Sequence, residues 1–232
     1  MDEKIYQIAL GLLNGIGPKK AKMLAAYVGS VQGIFEEKST ALAKVPGIST
    51  HFLKTINKAE ALERATLEFE FIQKNAIDTH FYQDNTYPKK LAQCDDGPIM
   101  LFTKGNIDFN KRKNIAIVGT RKATSYGKEM TRQLVHDLKE YDVQIISGLA
   151  FGIDIAAHKA ALVNDIPTMG VLAHGLDDLY PVGHKSIAKK MTENGGGIVS
   201  EFLSGTIADP KNFPKRNPEA GLVGREQRGR WA

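Results

Sequence analysis

The stretch IAIVGTRKATSYGK, residues 115–128, decides the reading of this chain. An apolar run, Ile115 to Val118, ends in Gly119, and a polar loop follows. A second glycine, Gly127, then opens an amphipathic segment. That is the layout of a strand, a phosphate-cradling turn and a helix. The glycine spacing nevertheless fits neither common phosphate signature. GxGxxG needs a glycine where Arg121 stands, and a Walker A loop needs Ser or Thr after Gly127-Lys128, where there is Glu129. The question is which phosphate this loop is built for.

Working outward, the pattern alternates apolar strands and helical faces. Strands are predicted at 114–119, 143–148, 167–173 and 197–202. Between them Met130, Leu134, Leu138 and Tyr141 share one helical face. An alanine-rich helix is expected over 153–164, and a third near 184–193. Near-continuous apolar strands with helical crossovers predict a parallel, doubly wound α/β sheet. Upstream, residues 1–76 read as short helices with tight turns: Ile5, Ile8, Ala9, Leu12 and Leu13 mark one face. The turn Gly15-Ile16-Gly17-Pro18 follows, and a looser version recurs in VPGISTHFLKTI at 45–56. A longer helix is predicted over 60–73. Around Asp78 the character changes, and Ile99–Phe102 reads as a short buried strand or turn. The domains expected are 1–76 (helical), 77–217 (Rossmann-like, its sheet incomplete at the C-terminal end) and 218–232 (a divergent, disordered tail).

Composition narrows the classes. At 232 residues with 42% hydrophobic and 25% charged residues, the chain has the balance of a globular protein. No apolar run approaches the roughly 18 residues of a membrane span. The N-terminus has no signal-peptide layout. The single cysteine, Cys94, excludes an internal disulfide or a multi-cysteine zinc site. A cytoplasmic location and no cofactor or metal are expected. Of the net charge of +5, residues 207–232 carry +3, with six Lys or Arg against three acids.

Two places could meet an anion. At Gly15 and Gly17, with Lys19 and Lys20 close by, the turn has the helix-hairpin-helix layout that grips a DNA backbone through amides and lysines; a tight turn between packed helices explains it equally well. In the second turn Pro46 replaces the first glycine and removes a donor, so that turn reads as structural. The rim of the sheet is more specific, because open α/β sheets bind ligands beyond the carboxyl ends of their strands. Those ends carry Gly119, Thr120, Arg121 and Lys122, then Ser147, Gly148 and Gly152, then His174-Gly175, then a loop with Lys211, Phe213, Lys215, Arg216 and Asn217. Arg121 can clamp a phosphate bidentately, and Phe213 can stack on a base. His158 lies four residues after Asp154, so the two share a helix face and a local hydrogen bond. Neither this pair nor any other forms a catalytic constellation, and Ser147 sits in no nucleophile elbow.

Taken together, YPKKL with GPIMLFTKGN, then IAIVGTRKATSYGK, ISGLAFGIDIAAH, GLDDLYP, SEF and NFPKRN resemble the DNA-processing protein A (DprA/Smf) family in order and spacing, over most of residues 5–217. The resemblance implies a helical N-terminal domain, an extended Rossmann-like domain, and binding of single-stranded DNA with loading of RecA onto it in natural transformation, without enzymatic activity. Gly119, Thr120 and Arg121 would then hold one backbone phosphate. Ser147, Gly148 and Gly152 would supply a second cradle, with Lys215, Arg216 and Asn217 on the far side and Phe213 against a base.

Two departures from the family pattern carry expectations. Phe151 stands where the family usually has a basic residue, so a phosphate contact is lost or replaced by stacking. The resemblance stops at Asn217, which suggests an interrupted gene; family dimerisation and RecA contact would then be impaired, and a central strand left as an open sheet edge. The rival readings are a Rossmann-like nucleotide phosphoribohydrolase, whose PGGxGTxxE stretch is not found here, and a non-functional truncated remnant.

Overall fold

The computed structural model describes residues 1–110, 112–212 and 225–226 of the chain. Its contacts divide it into two compact units, Met1–Asp84 with Ala92–Met100, and Asn85–Leu91 with Leu101–Ala232.

In the first unit, α1 (Glu3–Leu12), α2 (Pro18–Val28), α3 (Val31–Glu36), α4 (Ser39–Leu42), α5 (Thr50–Thr55) and α6 (Lys58–Lys74) precede β1 (Asp78–Phe81). Side chains start three of these helices: Asp2 accepts from the Lys4 amide, Ser30 from the Gly33 amide and Asn57 from the Glu60 amide. Each satisfies one of the donors that a helix start leaves open. The apolar stripe of α1 (Ile5, Ile8, Ala9) is buried and packs on α6, which buries Ala61, Ala65 and Ile72. The two hairpin turns share one construction. Ile16 N–H donates to Leu13 O at 3.0 Å and Ile48 N–H to Val45 O at 3.1 Å, with Gly15 and Gly47 at φ 74° and 76°. Glycine is the residue that enters that left-handed region without strain.

The second unit holds most of α7 (Lys89–Ala92) and β2 (Met100–Gly105), followed by β3 (Lys113–Ala116), α8 (Ser125–Asp137), β4 (Val143–Ser147), α9 (Ile153–Val163), β5 (Thr168–Val171), α10 (Lys185–Glu193), β6 (Gly197–Ser200) and β7 (Arg225–Glu226). Its strands run in the order β2-β6-β5-β4-β3-β7. β3 to β6 are mutually parallel, with Ile115 opposite Ile145 and Gly170 opposite Ile198. β4, β5 and β6 are buried along their whole length, hence their unbroken apolar reading. Behind them α8 and α9 close a core of Ile117, Val135, Val143, Ile145, Ala157 and Ala161. The alanines of α9 let that helix lie close against its neighbours.

One expectation is corrected. The sheet is mixed, because β2 pairs antiparallel with β6, Phe102 opposite Ser200. Within residues 218–232, Arg225–Glu226 pairs parallel with Ile115–Ala116 and gives the outer edge of β3 backbone partners. The other residues of 218–232 lie outside those described.

Candidate functional site

The strand ladder carries β3 one residue beyond its end, through Ile117 N–H to Ile146 O at 2.9 Å. The chain then turns outward, and Gly119, Thr120, Arg121 and Lys122 are all exposed. Within the turn the Thr120 hydroxyl accepts from the Lys122 amide at 3.2 Å. Thr124 then starts α8 by accepting from the Gly127 amide at 3.1 Å, so Gly127 sits in the first helical turn rather than in the loop.

The glycines here are packing devices. A Cβ on Gly119 would lie 2.6 Å from Cγ1 of Ile153. Gly152 has φ 84°, and a Cβ there would overlap the Thr120 carbonyl oxygen and lie 2.7 Å from that of Arg121. That contact lets the Ile153 amide, at the head of α9, donate to Thr120 O at 3.2 Å. The basic turn is thus clamped, backbone to backbone, onto the start of α9.

The second cradle expected from the sequence is differently used. Ser147 is fully buried, and its hydroxyl donates to Ile117 O at 2.6 Å. The Gly148 amide donates to Oδ2 of Asp154 at 3.2 Å, and Gly148 and Gly152 are buried. These three residues support the turn from below, and α9's own carboxylate occupies the amide that an anion would need. Asp154 and His158 lie four residues apart on α9, as the sequence predicts; Asp154 also accepts from the loop amide ahead of its helix, and His158 Nδ1 meets Thr168 Oγ1 at 2.7 Å. The Thr168 hydroxyl also donates to Ile145 O at 3.0 Å, which ties the histidine contact to β4. An acid in the first turn of a helix was the available signal for that loop contact.

Further along the rim, His174 is buried in the loop after β5. The Ser200 hydroxyl donates to His174 O at 2.6 Å, the Gly175 amide to Thr206 O at 3.0 Å and the Gly205 amide to Oδ2 of Asp177 at 3.0 Å. These bonds stitch the loops after β5 and β6 together. Beside them Lys185 pairs with Asp178 at 3.0 Å, and that ammonium holds the exposed carboxyl below its ordinary range. Lys211 is exposed, its backbone amide on Asp209. Phe213, Lys215, Arg216 and Asn217 lie outside the described residues. A groove of about 350 Å³ between α9 and α10, lined by Lys159, Leu162, Val163, Ile187, Lys190 and Asn194, is formed by helix faces rather than by the rim loops.

In the first unit, Gly15 and Gly17 are exposed and Lys20 is half-buried. Lys19 pairs with Asp95 at 3.4 Å, and Lys22 Nζ donates to Cys94 O at 2.7 Å. Lys19 and Lys22, beside the hairpin turn, therefore have partners within the unit. Burial lowers the Lys22 pKa, opposed by nearby Asp95 and Asp96. Among the described residues no helix is long and apolar enough to cross a membrane, and no group of three or more His, Cys, Asp or Glu could hold a metal ion.

The rim turn and its clamp lie within the span matched by the model of DNA recombination-mediator protein A, residues 78–220. The chain belongs to that family. Residues 9–51 match a SAM-like helix-hairpin-helix tandem, in keeping with the paired turns. Protein Smf of Synechocystis is 29% identical over 222 residues, 93% of this chain and 55% of the relative. The X-ray structure of DNA processing protein A from Streptococcus pneumoniae superposes with a TM-score of 0.74 at 28% identity, covering 97% of this chain and 77% of that one. The Helicobacter pylori family member, whose structure concerns its single-stranded DNA binding mode, gives 0.56 at 28% identity, covering 64% of this chain and 66% of that one. The chain spans about half the length of the curated relatives it matches, 55% of the Synechocystis protein and 47% of the pneumococcal one.

Proposed function

We propose that this chain is a DNA-processing protein that holds the backbone of single-stranded DNA on the rim turn Gly119–Lys122, without catalysing a reaction on it. The observation that carries this reading is how the donors are divided. The inward amide at Gly148 is taken by Asp154, and the head of α9 by Thr120. Two of the backbone amides that a nucleotide-phosphate cradle would draw on are therefore taken by the protein itself. What faces solvent is side chain: Arg121, Lys122 and Lys211. Exposed cations on a rigid turn suit a polymer of phosphates, which binds through several shallow contacts. The single-strand binding of the Helicobacter pylori relative supports the same choice of ligand.

Competition tests it against the phosphoribohydrolase reading. Unlabelled oligo(dT) should displace a labelled single strand, whereas duplex of equal length and millimolar nucleoside monophosphate should not. Chromatography should find no free base after incubation with the monophosphate. Displacement by the monophosphate, with base released, refutes the proposal. Delivery of the bound strand to RecA is the finer step of this reading, and a strand-exchange assay with purified RecA reads it.

A further inference from the structure

The loop between β4 and α9 holds one solvated apolar side chain among buried neighbours. Phe151 is 51% exposed, while Ser147, Gly148, Leu149, Ala150 and Gly152 are all buried. A single exposed phenylalanine is ordinary on a protein surface. This one is held in place by unusual means. Leu149, two residues earlier, has φ 56°, a left-handed conformation rare for a residue with a branched side chain. Its carbonyl accepts from Nδ1 of His184 at 2.8 Å, and His184 is itself buried. The same imidazole meets the Phe151 ring edge-to-face, with centroids 5.0 Å apart and planes at 68°. One side chain thus holds both the strained carbonyl and the ring that follows it. On the other flank Gly152 presses on the carbonyls of Thr120 and Arg121, which places the ring one residue from the basic turn. Strain maintained around a solvent-facing group marks a site where that group has a use.

We infer that Phe151 is a base-stacking platform: a base of the strand whose backbone follows Arg121 and Lys122 lies on its exposed ring. The inference rests on the single-strand reading above and adds to it an unpaired nucleobase at a defined residue. Every base has a π-face, so the contact favours strands with bases over the bare backbone and discriminates little among bases. It also explains how a rim with phenylalanine in the middle of its second loop remains suited to a nucleic acid.

The test compares oligo(dT) with an abasic oligomer of the same length and charge, by fluorescence anisotropy. Wild type is expected to bind oligo(dT) about tenfold more tightly than the abasic strand, within the usual range for stacking on one aromatic side chain. Phe151→Ala and Phe151→Leu should lose most of that preference while keeping the salt dependence of binding. Phe151→Trp should retain the preference, and its indole emission should be quenched by oligo(dT) and not by the abasic strand. Arg121→Ala should weaken both strands equally. If Phe151→Ala keeps the wild-type preference, the stacking role falls while the backbone reading stands. If folded wild-type protein binds neither strand, the single-strand reading itself falls, and the stacking role with it.

Discussion

Gly152→Ala tests the clamp between the basic turn and α9. The wild-type residue sits at φ 84° and ψ −121°, a region that L side chains rarely enter. Placing alanine at positive φ costs about 1–2 kcal/mol. The new Cβ would also overlap the Thr120 carbonyl oxygen and lie 2.7 Å from that of Arg121. Both neighbours are backbone, so relief requires the turn to move and the bond from Ile153 to Thr120 to lengthen or break. Such overpacking typically costs about 1–3 kcal/mol. The sum, about 2–5 kcal/mol, corresponds to a fall in melting temperature of about 4–20 °C at this chain length. Calorimetry should therefore show a clear loss for Gly152→Ala and none for Gly183→Ala. Gly183 has no atom within 4 Å of a new Cβ and no positive φ. Single-strand affinity should fall with the first variant, because the displaced segment carries Arg121. A Gly152→Ala protein melting within about 1 °C of wild type would show that the turn tolerates movement, and that the clamp does not hold it.

Other outcomes follow from the same contacts. Ser147→Ala removes a buried donor to Ile117 O and should cost about 1–3 kcal/mol, read by denaturant titration, with the salt dependence of DNA binding unchanged. A reduced salt slope would instead make Ser147 a direct phosphate contact. Asp154→Ala leaves the buried Gly148 amide without its carboxylate and should destabilise by a similar amount, about 1–3 kcal/mol, whereas Asp154→Asn keeps an acceptor and should recover most of it. His80 is buried, and that burial lowers its pKa against the pull of Asp78 and Asp84. The unfolded chain takes up this proton near the ordinary pKa of about 6.5, and the folded chain only at lower pH. Stability from this group is therefore complete above the ordinary value and lost as pH falls through the lowered one. Melts between pH 7.5 and 5.5 should show the loss, and His80→Gln should flatten it; a wild-type profile independent of pH would contradict the assignment.

Much of the fold was legible because its main signal survives in one dimension. β4, β5 and β6 are buried on both faces and so read as unbroken apolar runs, and α9 announces its tight packing through its alanines. Strand direction is not written in such a run, which is why the antiparallel pairing of β2 with β6 left no sign in the sequence. The site was legible as a loop and less so as a set of roles. Glycine spacing located the turn at 119–122, yet the same spacing suits an amide that binds an anion and an amide that binds the protein. Only the position of Asp154 decides that Gly148 is the second kind. The clamp of Gly152 on Thr120 joins residues more than thirty positions apart and leaves no local trace. Phe151 was visible as an oddity in its motif, but the histidine that holds it lies on another loop.

The central claim is that exposed cations on the clamped turn bind the backbone of a single strand. The most direct measurement is the affinity for labelled oligo(dT) and for duplex across a salt series, with wild type and Arg121→Ala. The account predicts tighter binding of the single strand and a linear fall of log K with log salt. For the variant the slope should be shallower by about 0.7, the value for one phosphate contact on a single strand. Equal or tighter binding of duplex, or a variant with wild-type affinity and slope, would contradict it.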